Sequence, residues 1–510
     1  MKKAFYSFIF SFLFSTAFSQ DCRYLTEIFP TVKRTNDLVY GTNATILYLP
    51  DAGQAVPENL LFDLYEPEDD IASLRPLIIY FHAGNFLPYP ANLSKVGTKS
   101  DVSAVEFCTR LAKSGYVVAS ADYRLGWNPF ADEVGRRAGI INAAYRAVQD
   151  ANTCIRFFRK TVAEDGNPFR IDQNRIVLFG DDTGGYISVH AAALNNWEEI
   201  FESDQFCVPI SPDTCLPMIM EYVNGDVEGK QFGVNSPAYP LFPFPEGDTL
   251  CYPNLTDFSS SFNCAVNLGG AVACRDWLDP GQIPIINVHN IYDPTTPYDE
   301  GIVAPGGLGN IMYVWGSQSI ADTLNDLGVN GWIKTTDECF VTPFQLAVDG
   351  AADELNGGLL GLFPIVPPDT FSSTPWVWYD PANPTDSTNY VTANLYIDSI
   401  LAFVQPQLFA AMQLIELAHC GCVDVETVTP VEAGIRIDPN PVSDKIEITA
   451  DKASQMRFIR LYDIRGMLVK EFTPKDQPHY SIPIDQYPPG LYLIQVQFDD
   501  AITTKQIIVQ

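Results

Sequence analysis

The stretch Gly180-Asp181-Asp182-Thr183-Gly184-Gly185 limits the possible folds of this chain more than any other. An apolar run, residues 175–179, precedes it, and a helical pattern, residues 186–191, follows. Glycines on both sides of a sharp turn let the backbone take conformations that side chains block. A strand that turns directly into a helix is the building unit of a parallel sheet. The same alternation recurs along the chain. Residues 77–81, an unbroken apolar run after Pro76, predict a buried parallel strand. Residues 102–113 predict a helix that stops before Gly115, 116–120 a strand, and 138–162 a long helix ended by Asp165-Gly166-Asn167-Pro168. Residues 264–268 and 283–288 read as core strands, 317–327 as a helix, 331–334 as a short strand, and 395–417 as a long closing helix. Residues 21–70 read as β-rich entry structure. Residues 197–261 and 337–392 lack clear periodicity, and the first has the length of a lid or insertion over a site. The expected class is α/β: a mostly parallel sheet with helices on both faces and long insertions.

With 510 residues the chain has room for one large domain and a smaller one. Composition changes after Cys422. Residues 423–434 read as a linker. Residues 436–510 hold 9 Lys and Arg against 10 Asp and Glu, so −30 of the total charge of −31 lies on the preceding 435 residues. The tail has no cysteine and alternates apolar with polar, as in Lys445-Ile446-Glu447-Ile448-Thr449, which predicts a small β-sandwich from about residue 435 to 510. The acidic balance argues against nucleic acid and anionic membranes as partners. Met1-Lys2-Lys3, the apolar residues 4–14 and the small-residue site Ala17-Phe18-Ser19 form a secretory signal peptide over residues 1–19. No later stretch is long and apolar enough for a transmembrane segment. Eleven cysteines fit an exported chain, and their odd number leaves one thiol free or paired between chains.

Two family resemblances follow from ordered motifs. His82-Ala83-Gly84-Asn85-Phe86 is similar to the HGGGF oxyanion loop of carboxylesterase/lipase-like α/β-hydrolases. Asp122-Tyr123-Arg124-Leu125-Gly126, the run Tyr145 to Ala151, Arg156-Phe157-Phe158-Arg159-Lys160 and the Gly180 turn follow in that family's order. His289-Asn290-Ile291-Tyr292-Asp293 with Pro297-Tyr298 resembles its HGxxDxxVPY segment. The likeness runs from about residue 60 to 417. The second resemblance is to the C-terminal sorting domain of type IX secretion cargo in Bacteroidota. It rests on Pro439-Asn440-Pro441-Val442, Leu461-Tyr462-Asp463-Ile464-Arg465-Gly466, Pro489-Gly490-Leu491-Tyr492 and the closing Lys505-Gln506-Ile507-Ile508-Val509. It implies recognition by the type IX machinery, tail removal, and delivery outside the cell or onto its surface.

Ester hydrolysis on the hydrolase fold needs a nucleophile on the turn, a histidine base, an acid that orients it, and N–H donors for the oxyanion. The resemblance puts Asp182 at the nucleophile position, where serine is expected, and Asp293 at the acid position. Gly84, Asn85 and Thr183 fall at the oxyanion positions, with Ala83 replacing a glycine. Aspartate serves as nucleophile in the related epoxide hydrolases and haloalkane dehalogenases, but a histidine-activated water must then release the ester intermediate. The base is expected after Asp293. The window 337–344 is where a GxGHxPF segment would fall, and Phe340 or Val341 stands there instead. The five histidines lie elsewhere: His82 as a buttress, His190 in the turn helix, His289 in its own motif, His419 after the last helix, and His479 in the tail. The expectation is a pseudo-hydrolase that binds a small-molecule, ester-like ligand or a partner. The alternatives are an active ester hydrolase using Asp182 or a non-standard base, and a structural surface component. No cofactor is implied. Asp181, Asp182 and Asp293 could converge on a hard cation, although no metal-ligand spacing supports one.

Overall fold

The structure, a computed structural model, describes residues 22–509 except 93, 212–213, 306–308, 336–340, 367–371, 376–386, 419–425, 428–434, 440, 451–455, 457, 464–467, 475–478, 485, 488–489 and 498–500. The expected signal peptide at 1–19, Phe340, His419 and most of the expected 423–434 linker lie outside the described residues.

Eight strands form the main sheet: β1 (Val32–Thr45), β2 (Val56–Pro67), β3 (Arg75–Phe81), β4 (Val117–Ala121), β5 (Ile171–Asp181), β6 (Cys264–Leu268), β7 (Ile285–Asn290) and β8 (Leu362–Ile365). Their spatial order is β1-β2-β4-β3-β5-β6-β7-β8. The β1–β2 and β2–β4 pairs are antiparallel, and every pair from β4 to β8 is parallel. This is the fold the hydrolase resemblance implies.

The parallel strands are apolar throughout because both faces are covered. Along β3, Leu77, Ile79 and Phe81 join one core while Ile78 and Tyr80 join the other. Along β5, Ile176 and Leu178 face the first core, and Val177 and Phe179 the second. Helix α1 (Val102–Lys113) covers the second face with Phe107 and Leu111, and Asp101 caps its first turn by accepting from the Ala104 N–H. Helix α2 (Glu133–Glu164) covers the first face, and Asp132 caps it through the Gly135 N–H at 2.8 Å. α2 begins five residues before the predicted start, because a capping carboxylate opens the helix ahead of its apolar stripe. Helix α3 (Thr183–Ala193) springs from the end of β5.

Several hydrolase-like motifs are fold elements. Arg124 and Asp150 are both fully buried, with Arg124 Nε 2.9 Å from Asp150 Oδ1. Arg124 also donates to the Gln149 side chain and to the Leu250 carbonyl, tying the loop after β4 to α2 and to the insertion.

The 331–334 strand is a correction: that segment lies in a 3-10 helix, Val329–Thr335. The Asn330 side chain holds it by donating to the carbonyls of Ile285 and Leu360. The region 337–392 also carries more structure than its sequence suggests. It contains helix α4 (Pro343–Asn356) and strand β8. The capping box Thr342-Pro343-Phe344-Gln345 opens α4 and was readable in the sequence. β8, with four residues and a proline, was too short to show alternation. Helix α5 (Ser387–Ala411) closes the second face, with Ile397, Ile400 and Phe403 in its core.

The tail forms one five-stranded and one three-stranded sheet. Ile437, Ile446, Ile448, Ile459, Ile494 and Ile507 from both sheets share one core, so the predicted β-sandwich is present. Glu426 and Thr427, inside the expected linker, pair with Ala501 and Ile502 of the last strand. No helix among the described residues is long and apolar enough to cross a membrane.

Candidate active-site cleft

β5 ends at Asp181, and Asp182 takes φ 50° and ψ −105° before α3 begins at Thr183. A non-glycine residue in this region is strained and is held only by its surroundings. A Cβ on Gly180 would lie 1.8 Å from the Gly184 carbonyl oxygen, and one on Gly184 would lie 2.0 Å from the Phe81 carbonyl oxygen. The two glycines therefore let the strand, the helix start and β3 approach closely enough to make the turn. The Asp182 N–H is anchored to the Leu268 carbonyl at 2.7 Å. The carboxylate of Asp182, half-buried, forms part of the wall of a pocket.

The loop after β3 brings Asn85 against the turn. Gly84, Asn85 and Phe86 all have positive φ, at 131°, 58° and 53°. The Asn85 N–H donates to the Thr183 hydroxyl at 2.7 Å, so the threonine side chain occupies this donor. Thr183 is in turn 3.4 Å from Asp182 Oδ2 through its hydroxyl. Trp127 Nε1 donates to the Asn85 carbonyl and the Asn85 amide donates to the Asn92 carbonyl, which fix the loop. The fold brings Asn85, Thr183 and Asp182 together. Nothing in the sequence signalled that the Thr183 hydroxyl would engage the Asn85 N–H.

Asp293 follows β7 and is half-buried. Its Oδ1 accepts from the Thr295 and Thr296 N–H groups at 2.9 and 3.2 Å. Its Oδ2 accepts from the Ser373 N–H at 2.6 Å and the Ser373 hydroxyl at 2.7 Å. Ser373 lies on the segment after β8, the last strand of the sheet. The window 337–344 precedes β8 and leads into α4, so it is not the loop after the last strand; this corrects the expected position of the base. Ser373 was not singled out in the sequence, because the brevity of β8 hid where the sheet ends.

Four of the five histidines lie among the described residues. His82 is buried, stacks on Tyr123 with ring centroids 4.6 Å apart, and bonds through Nδ1 to the Ala83 carbonyl. His190 Nε2 accepts the Ala273 N–H at 3.0 Å, and burial pushes its pKa down to about 4, which keeps the ring neutral. His289 is buried between the Ser317 hydroxyl at 2.8 Å and the Thr296 carbonyl at 3.1 Å. His479 lies on the tail sandwich near Thr449 and Glu447. Among the described residues no imidazole bonds to Asp182 or Asp293.

Two carboxyl groups at the turn differ in setting. Asp181 is buried and accepts from the hydroxyls of Thr374, Ser103 and Tyr80 at 2.9, 2.9 and 3.1 Å. Burial pushes its pKa up to about 7 despite these three donors. Asp182 is pushed up to about 8, first by burial and then by the negative charges of Asp293 and Asp181. Among the described residues no group of three or more His, Cys, Asp or Glu side chains is placed to hold a metal ion.

The pocket beside Asp182 holds about 820 Å3 of empty space, counting solvent at its mouth. α2 contributes Ile140, Ile141, Ala144 and Val148. The 197–261 insertion contributes Ile200, Phe206 and Ile219, as expected of a segment covering the site. That insertion is braced by the Cys207–Cys215 disulfide. Val303, Met312 and Val314 come from the hairpin Glu300–Val303 and Met312–Trp315. Tyr186 and Thr296 hydroxyls lie 3.0 Å apart on the wall.

Residues 62–209 match the BD-FAE family, and residues 436–510 match the secretion system C-terminal sorting domain family. No curated protein sequence matches the chain. Among solved structures, a truncated carbohydrate esterase from gut microbiota is 14% identical, with 59% of this chain and 86% of that one covered and a TM-score of 0.32. Esterase 2 of Thermogutta terrifontis, phosphorylated by paraoxon, is 18% identical over 53% of this chain and 74% of its own, with a TM-score of 0.28. The propionate-bound form of that esterase is 19% identical over 51% and 74%, with a TM-score of 0.27. Likenesses at these TM-scores carry no weight beside the strand order and the two family matches. This chain carries an esterase-like α/β-hydrolase domain of the BD-FAE kind, followed by a type IX secretion C-terminal sorting domain.

Proposed function

We propose that this is an exported, type IX-sorted protein whose hydrolase domain has lost serine-esterase chemistry and uses its old cleft to bind a ligand. The observation that carries the reading is the pair of altered positions. Asp182 stands where the turn presents a nucleophile, and Asp293 accepts its hydrogen bonds from Thr295, Thr296 and Ser373 with no imidazole among them in the described residues. Loss of one triad member costs several orders of magnitude in rate, and here two positions are changed. The Thr183 hydroxyl on the Asn85 N–H weakens the oxyanion site as well. The signal peptide at 1–19, the linker at 423–434 and removal of 435–510 on export belong to the same reading, with the sorting domain as the part the type IX machinery takes up.

The rival reading is an ester hydrolase in which Asp182 attacks the substrate. It draws on the strained Asp182 backbone, which the turn keeps. p-Nitrophenyl acetate and butyrate separate the two. The mature protein and its Asp182→Ala variant are expected to show the same background rate. Turnover in the wild type that disappears in Asp182→Ala would establish the rival.

A further inference from the structure

The pocket is chemically lopsided. Of the side chains that line it, Asp182 is the one that carries a charge when ionised, above its pKa of about 8, since His190 is held neutral between its partners. The remaining wall is mostly aliphatic and aromatic, with Ile141, Val148, Ile219, Trp277 and Met312 among its members. Asp181 and Asp293 stand close enough to act on Asp182 by their charge, and no lysine or arginine lines the space. Among the described residues the hydrogen bonds to the Asp182 carboxylate come from Thr183 alone, and the hydroxyl contact is long at 3.4 Å. The carboxylate therefore keeps acceptor capacity toward the pocket.

A neutral ester or alcohol entering this space would satisfy a hydrogen bond but leave unrelieved the burial and the carboxylate repulsion that oppose ionisation of Asp182. A carboxylate ligand would add to it. A cationic head group would offset it, in a low-dielectric setting where a charge-assisted hydrogen bond is strong. Resting on the binding role argued above, we propose that the cleft takes amphiphilic amines: a primary ammonium head against Asp182 and an apolar chain along the α2 and insertion side of the pocket. The Tyr186 and Thr296 hydroxyls line the same pocket and offer further acceptors to the ammonium N–H donors. The aliphatic wall then takes the chain, whose burial is favourable.

The test is isothermal titration of the mature full chain at about pH 9, where Asp182 is ionised and an alkylammonium still holds its proton, with octylammonium chloride, octan-1-ol and sodium octanoate, matched in length. Octylammonium is expected to bind at least about 10-fold more tightly than octanol, the scale of one charge-assisted contact, and octanoate more weakly than either. Asp182→Asn is expected to bring octylammonium and octanol to within about 2-fold of each other. If that variant does not fold, Ile219→Trp, which fills the pocket, is expected to weaken octylammonium and octanol alike. Equal or tighter binding of octanol or octanoate in the wild type overturns the proposal. So does amine preference that survives Asp182→Asn, octylammonium binding unaffected by Ile219→Trp, or no octylammonium binding at about 1 mM. Ester turnover is read separately, so an amine-blind cleft without turnover sinks this inference and leaves the pseudo-hydrolase reading standing.

Discussion

The triple variant Asp182→Ser, Thr183→Ala, Ser373→His is expected to hydrolyse p-nitrophenyl esters at least about a thousandfold faster than the wild type, the lower end of what a triad adds. Each change answers one observation. Serine at residue 182 would stand on a turn already held at positive φ by Gly180 and Gly184. Removing the Thr183 hydroxyl frees the Asn85 N–H, which now bonds to it at 2.7 Å, to serve an oxyanion. Histidine at residue 373 would extend from a backbone N–H already 2.6 Å from Asp293 Oδ2, replacing the serine hydroxyl as the donor to that carboxylate. Steady-state kinetics of the triple variant and its three double variants check the expectation. A folded triple variant that stays at background would show that Ser373 does not stand where the base belongs. The same histidine placed at Val341, ahead of the last strand, is expected to restore nothing.

Arg124→Met is expected to destabilise the hydrolase domain by about 3–5 kcal/mol, the range for breaking a fully buried ion pair. It removes the partner of Asp150, which is buried and would be left charged or forced to protonate. It also strands the Gln149 side chain and the carbonyls of Leu250 and Arg146 that Arg124 now serves. Urea unfolding of the hydrolase transition reads the change. The double variant Arg124→Met, Asp150→Leu is expected to recover much of the loss, because an apolar pair of similar volume removes the stranded charge. A cost below about 1 kcal/mol for the single variant would mean that the pair contributes no more than a surface ion pair does.

Much of this molecule was legible in its residues. Long, strongly patterned elements announced themselves: the predicted helix at 102–113 is α1 without change, and the predicted strand at 264–268 is β6 without change. The turn at Asp182, the Asn85 loop and Asp293 were found through motifs whose glycines and strand ends the fold requires. The failures share a cause. β8 has four residues in an apolar stretch, 359–366, that Gly361 and Pro364 interrupt, so it shows no alternation and its bounds are hidden. The end of the sheet therefore lies later than the sequence suggests, and the segment after it carries Ser373 rather than residues 337–344. The hydroxyl contacts that define the cleft were also hidden. Thr183 on Asn85, Ser373 on Asp293 and Thr374 on Asp181 join residues 80 to 193 positions apart, or 98 in the first case, and no local pattern encodes such pairs.

The central claim is that Asp182 forms no covalent bond to substrate, and oxygen exchange tests it most directly. A carboxylate that attacks the carbonyl of p-nitrophenyl butyrate expels p-nitrophenolate and forms a mixed anhydride, and water attacking that anhydride at the aspartyl carbonyl leaves a water oxygen in the side chain. The mature protein is incubated with p-nitrophenyl butyrate in 18O-labelled water, and the peptide that contains Asp182 is weighed by mass spectrometry. The account predicts a peptide of unchanged mass. A peptide heavier by one or two labelled oxygens, with the label on Asp182, would contradict it.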